Sequence, residues 1–196
     1  MSESREISRD EAWALLTEYV QSESLRRHCL SVETAMRAYA RKNGAPEDEW
    51  GLVGLVHDFD YEMHPTLDKH PVEGSKILAE RGYPDWAIRA ILAHGVETGV
   101  APESQLEKTL VAVDELTGFI TAVAYVRPSK AVADVTPSSV RKKMKDKAFA
   151  RAVSREEMLH GAETLGVDFD EHVAFVIQAM TENAKALGLE GVETNG

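Results

Sequence analysis

The chain has few of the features that mark a secreted or membrane protein. Cys29 is the single cysteine among 196 residues, so no internal disulfide can form. No apolar run approaches the roughly 18 residues that a membrane helix needs. The polar segment from Met1 to Asp10 also lacks the apolar stretch of a signal peptide. These absences predict a soluble, cytoplasmic protein that has no membrane partner.

Positive charge is also scarce. The 22 Lys and Arg residues stand against 33 Asp and Glu residues, which gives a formal net charge of −11. A globally acidic protein is a poor candidate for binding DNA or RNA, so we expect no nucleic acid polymer as a partner. The exception is the basic segment 141–147, which is either a solvated helix face or a surface that attracts phosphate at the rim of a site.

Strand signals and internal repeats are absent, whereas helix signals are frequent. Ser8 followed by Glu11 predicts a capping box at the start of a helix, and Asn43-Gly44 predicts a left-handed helix end. Further helices are predicted over about 25–42 and 104–126, from Pro46, Pro71 and Pro84, after Ser154, and from a cap at Asp170, with Pro128 and Pro137 breaking 127–151 into short pieces. We therefore predict an all-α fold, a single domain over 1–196 with about eight helices.

A set of polar residues occupies positions where these helices should be apolar. His28, for example, shares a helical stripe with Val32, Ala35 and Tyr39. The full set is His28, His57, Asp58, His94 and Asp114, together with His70 just before Pro71. Burying two aspartates near several histidines calls for a compensating charge, which a divalent metal supplies. Imidazole and carboxylate together suit Fe, Mn, Zn, Ni or Co better than calcium.

Each of these residues also has an ordinary interpretation when it is taken alone. A single histidine on an apolar face is often a hydrogen-bonded core residue. Asp58 would serve as a helix-end cap, Asp114 would pair with an arginine, and His70 would cap the helix that follows it. The metal hypothesis fails only if all of these ordinary interpretations are true at once. The joint pattern therefore favours a metal site.

The order of these residues resembles a known family. His28, then His57-Asp58, then Asp114 is similar to the H…HD…D pattern of the HD-domain superfamily of metal-dependent phosphohydrolases. The phrase over 55–60 resembles the family's apolar-apolar-His-Asp segment, although Phe59-Asp60 replaces the common Ile-Gly. We do not expect that departure to involve the ligands. The resemblance implies an HD-type metal-binding core over about 25–127 and a C-terminal helical extension over about 128–189.

Two further histidines resemble those of the dinuclear HD subgroup, which includes HD-GYP cyclic-dinucleotide phosphodiesterases and symmetric diadenosine-tetraphosphate hydrolases. The GYP phrase is missing after His94, which disfavours cyclic-dinucleotide hydrolysis. The resemblance implies one or two divalent ions. One ion would take His28, His57, Asp58 and Asp114, and the second would take His70 and His94. Asp58 has two carboxylate oxygens, so it would bridge the ions and be the central catalytic residue.

The resemblance also implies the reaction. It predicts cleavage of a phosphoester or phosphoanhydride in a small phosphorylated substrate, with a nucleotide expected, through attack by a metal-bound hydroxide. Arg127 and Lys130 follow the helix of Asp114 and are either phosphate-binding residues or solvated surface charges. His64 is either a proton donor or a surface loop residue. No G-x-S-x-G nucleophile motif is present, and no activating base is evident beside Cys29.

Two rival functions share this ligand pattern. The first is a diiron HD-type oxygenase that cleaves a C–C or C–P bond. The second is a non-catalytic, metal-binding regulatory HD domain. His160 and His172 lie on polar segments and are predicted to be surface residues. The pattern leaves open the substrate, the metal and the oligomeric state.

Overall fold

The computed structural model describes residues 6–192, and helices account for most of this range. The α-helices are α1 (Arg9–Tyr19), α2 (Glu23–Asn43), α3 (Glu47–Val56), α4 (Val72–Glu80), α5 (Asp85–His94), α6 (Gln105–Tyr125), α7 (Pro137–Met144), α8 (Arg155–Leu165), α9 (Phe169–Glu182) and α10 (Ala184–Leu187), and a 3-10 turn spans Val132–Asp134. Over 6–192 there is no β-strand, only an isolated bridge between Ala131 and Glu190. The all-α prediction is confirmed. No helix in this range is long and apolar enough to cross a membrane.

The helix ends follow the local chemistry of their capping residues. The Ser8–Glu11 capping box is present at the start of α1. Gly44 ends α2 in the left-handed conformation, with φ at +63°, which costs glycine little because it has no Cβ. The cap of α9 is Asp168 rather than the predicted Asp170, because the Asp168 carboxylate accepts the Asp170 and Glu171 backbone N–H groups.

Two helices were not predicted from the sequence. Pro137 was interpreted as a break, but it occupies the first turn of α7, where the missing N–H of proline costs nothing. Thr136 caps that helix through a reciprocal box with Ser139. The other addition is the single turn of α10, which ends at Gly188 with φ at +67°.

The chain divides into two compact units, Met1–Leu110 and Val111–Gly196, and α6 begins in the first and continues into the second. In the first unit α2 packs along α3, α1 and α5 also contact α3, and α4 contacts α5. In the second unit α9 contacts α7, α8, α10 and the 3-10 turn. The single-domain organisation, with a core over 25–127, stays a prediction.

A glycine sets the close approach of α2 and α3. A Cβ at Gly54 would lie 2.9 Å from Glu33 Cα and 3.0 Å from Glu33 N, so only glycine fits against this backbone. Because α2 carries His28 and α3 ends directly before His57, this packing brings the two imidazoles together. Their ring centroids are 5.2 Å apart.

Candidate metal centre

The carboxylate of Asp58 lies at the centre of a histidine cluster in the first unit. Its Oδ2 is 3.6 Å from His28 Nε2. Its Oδ1 is 3.1 Å from His70 Nε2 and 3.5 Å from Nε2 of both His57 and His94. The Asp58 side chain is only 14% exposed. Ligand-type atoms therefore converge in two overlapping groups that share Asp58, one with His28 and His57 and the other with His70 and His94.

The histidine rings are oriented by hydrogen bonds on the side away from Asp58. His57 Nδ1 lies 2.8 Å from the Gly54 carbonyl oxygen, and His94 Nδ1 contacts the Ile91 carbonyl oxygen. A carbonyl oxygen only accepts, so each Nδ1 carries a proton and donates it. In the neutral form of each ring, Nε2 then presents a lone pair towards Asp58.

Lone pairs that face a carboxylate require a cation between them. His57 and His94 direct their Nε2 atoms at a negatively charged group, and His94 Nε2 also lies 3.2 Å from His70 Nε2. Mutual repulsion of these atoms would be relieved by a proton or by a metal ion. Nitrogen and carboxylate donors together fit Zn, Fe, Mn, Co or Ni. The residues present therefore fit a divalent metal.

Ionisation of the cluster is consistent with such a site. Burial opposes the charge on Asp58, but the imidazoles around it outweigh burial and hold the pKa of this carboxyl well below its usual range. Burial also lowers the pKa of His70, but its hydrogen bonds to Asp58 and Asp60 raise it to about 10. A proton on His70 thus supplies the positive charge that a metal ion would otherwise provide.

Asp60 is a site residue that the sequence interpretation missed. The departure to Phe59-Asp60 was expected not to involve the ligands, and this is wrong. Asp60 is fully buried, its Oδ1 lies 2.7 Å from His70 Nδ1, and its Oδ2 accepts the Gly74 backbone N–H at 3.0 Å. The available signal was a carboxylate at the second position after the His-Asp pair. The sequence does not show that a histidine ten residues later folds back onto it.

Tyr61 lies on the solvent side of the same loop. Its side chain is exposed, and its ring packs nearly perpendicular to the His70 ring with centroids 5.2 Å apart. His64, the predicted alternative proton donor, is half-buried, and its backbone N–H bonds to the Asp60 carbonyl oxygen. In the described part of the chain, no hydrogen bond or ion pair joins the His64 side chain to the cluster.

The remaining predicted residues lie in the second unit. Asp114 is half-buried on α6, Arg127 is half-buried just after that helix, and Lys130 is exposed with φ at +51°. His160 is exposed as predicted. His172 is not a surface residue, because it is 1% exposed and its Nε2 lies 2.8 Å from the Ala112 carbonyl oxygen.

Comparison with known families supports the same interpretation. Residues 25–118 match the sequence model of the HD domain family. This range contains every predicted metal ligand, from His28 to Asp114. The chain carries an HD domain. Comparisons with curated proteins and with solved structures gave no match.

An HD domain is typical of metal-dependent phosphohydrolases, although some HD proteins are non-catalytic. The His/Asp clusters of this HD domain fit divalent metal binding. The family match and the ligand geometry therefore both favour a site that binds divalent metal.

Proposed function

We propose that this HD protein is a phosphohydrolase that cleaves a phosphoester or phosphoanhydride bond of a small molecule, with a nucleotide as the expected substrate. The observation that carries the proposal is the shared position of Asp58. One of its oxygens lies 3.6 Å from His28 Nε2. The other lies within 3.5 Å of the Nε2 atoms of the remaining three histidines, His57, His70 and His94. A carboxylate shared in this way suits a site for two ions, which is the arrangement that phosphate-transferring enzymes use.

The ligand assignment divides the cluster between two ions. His28, His57 and Asp58 would hold the first, with Asp114 added on the order of the motif alone. Asp58, His70 and His94 would hold the second. When bound, the ions would supply positive charge for the phosphoryl oxygens and acidify a water molecule. Asp58 is the residue on which both ions would depend.

The protein's own groups would perform the remaining work. The Nδ1 hydrogen bonds of His57 and His94 keep their Nε2 atoms directed at the centre, so little reorganisation is needed when an ion enters. On their position in the sequence after the helix of Asp114, we assign Arg127 and Lys130 to phosphate binding, since a guanidinium and an ammonium both pair with phosphate oxygens.

The first experiment counts Fe, Mn, Zn, Ni and Co per chain in protein purified without oxygen or chelator, and then measures phosphate release from nucleotides, dinucleoside polyphosphates and phosphomonoesters. About two ions per chain with phosphate release would support the proposal. Two iron ions with dioxygen consumption and no phosphate release would indicate the oxygenase. Bound metal with neither activity would indicate a regulatory domain.

The phosphate-binding residues have a separate test. Arg127→Gln and Lys130→Gln are each expected to raise KM by about tenfold, because loss of a charged hydrogen bond removes roughly 1.5 kcal/mol or more of binding. Lys185→Gln is the matched control, since Lys185 is an exposed cation on α10. Unchanged KM in both variants would refute the assignment and show that Arg127 and Lys130 are solvated surface charges.

A further inference from the structure

His70, a ligand of the second group, is oriented by a charged side chain. His57 and His94 are oriented by neutral main-chain carbonyl groups, whereas His70 is oriented by the carboxylate of Asp60 at 2.7 Å. A carboxylate on the far nitrogen of an imidazole fixes its tautomer and makes the near nitrogen a stronger donor to a metal. His70 therefore differs chemically from His57 and His94 as a metal ligand.

Asp60 is itself held in place from two sides. It is fully buried, which a carboxylate tolerates only when its oxygens are paired. Oδ1 accepts a hydrogen bond from His70 Nδ1, and Oδ2 accepts one from the backbone N–H of Gly74 in the first turn of α4. The contact with Gly74 ties the loop after α3 to α4 and so fixes the distance between Asp58 and His70.

Gly74 is required for this arrangement. A Cβ at this position would lie 2.4 Å from Asp60 Cγ and 2.5 Å from Oδ2, which is closer than a Cβ comes to non-bonded atoms in proteins. Any larger side chain would push the carboxylate away from His70. The backbone of α4 therefore forms a close-fitting surface for a buried carboxylate. Within the described residues, His70 is the side chain that hydrogen-bonds to this carboxylate.

We propose that Asp60 is a positioning residue that, together with Gly74, sets the affinity of the second ion by holding His70. This inference rests on the proposed ligand assignment and extends it. His70 and Gly74 engage both oxygens of Asp60, so we do not assign it as a ligand of the ion. It acts through His70, and its removal should weaken the second ion while leaving the first ion in place.

The test is a titration of metal-free protein with Co²⁺ in the absence of oxygen. The visible absorption of the bound ion monitors the titration, and the binding curve is fitted with two affinities. In Asp60→Asn we expect the second affinity to fall by about 10- to 100-fold and the first to stay within about twofold of wild type. Gly74→Ala keeps both side chains and should show the same selective loss. Asp68→Asn, an exposed carboxylate in the same loop, is the matched control.

The outcomes separate this inference from the proposed function. A residue with a merely structural role would lower the melting temperature and weaken both ions equally, and that result would overturn the inference. Two ions bound to Asp60→Asn with wild-type affinity would also overturn it, as would a wild-type protein that binds a single ion. Selective loss of the second ion in a protein that releases no phosphate would support the inference and refute the hydrolase.

Discussion

Asp58 Oδ1 and His70 Nε2 lie 3.1 Å apart, although the two residues are twelve positions apart in the chain. The contact forms because Asp58 follows α3 and His70 lies just before α4, and the loop between them folds back. It joins the His-Asp pair of the HD domain to the second group of histidines.

Removal of Asp58 should eliminate both ions. We expect Asp58→Ala to reduce phosphate release by at least ~10³-fold, because the Lewis-acid contribution of bound metal amounts to several kcal/mol and each 1.36 kcal/mol is a factor of ten. Helical content by circular dichroism should stay close to wild type. Asp68→Asn again serves as the control, with wild-type metal content. An Asp58→Ala protein that keeps two ions and full activity would refute the ligand assignment.

Metal affinity should depend on pH through His70. In the metal-free protein Asp58 and Asp60 raise the pKa of His70 to about 10, so this residue is protonated at neutral pH. A metal ion binds only the neutral imidazole, so it must displace that proton, and affinity should rise by about tenfold per pH unit until the pH nears that pKa. Calorimetric titration in buffers of different ionisation enthalpy measures the protons released. Release of no proton at pH 7 would contradict the prediction.

His172 should contribute to the stability of the second unit. It is 1% exposed and bonds to the Ala112 carbonyl oxygen at 2.8 Å, so it joins α9 to α6. We expect His172→Ala to lower the free energy of unfolding by about 1–3 kcal/mol, through loss of a buried hydrogen bond and of packing. His160→Ala, at an exposed position on α8, should change it by less than about 0.5 kcal/mol. Equal effects of the two substitutions, measured by urea denaturation, would contradict this assignment.

Substitution of two glycines on α3, Gly54 and Gly51, tests the packing of α2 on α3. In Gly54→Ala the new Cβ would meet the Glu33 backbone at 2.9 Å, and backbone cannot move aside cheaply, so we expect a loss of about 1–3 kcal/mol. In Gly51→Ala the Cβ would meet the flexible side chain of Arg37, and the loss should be smaller. Urea denaturation of both variants gives the comparison. A larger loss of unfolding free energy in Gly51→Ala would show that the close contact at Gly54 does not determine how α2 packs on α3.

Much of the helical structure was predictable because its causes are local. A capping box joins residues three apart, and an apolar stripe repeats every three or four residues, so Ser8, Glu11 and Gly44 could be interpreted without the fold. Pro137 was misinterpreted for a related reason. Proline ends one helix and begins another, and only the capping pair of Thr136 and Ser139 decides between the two roles.

The sequence alone determined the all-α class and predicted the residue types of the His/Asp cluster, since a histidine or aspartate on an apolar helix face is visible from periodicity. Only the tertiary structure decided that Asp60 holds His70, that Gly74 must lack a side chain, and that His172 is buried. Each of these facts depends on the approach of residues that are 10, 14 and 60 positions apart. Such distances are set by how helices pack, and no local pattern of residues encodes them.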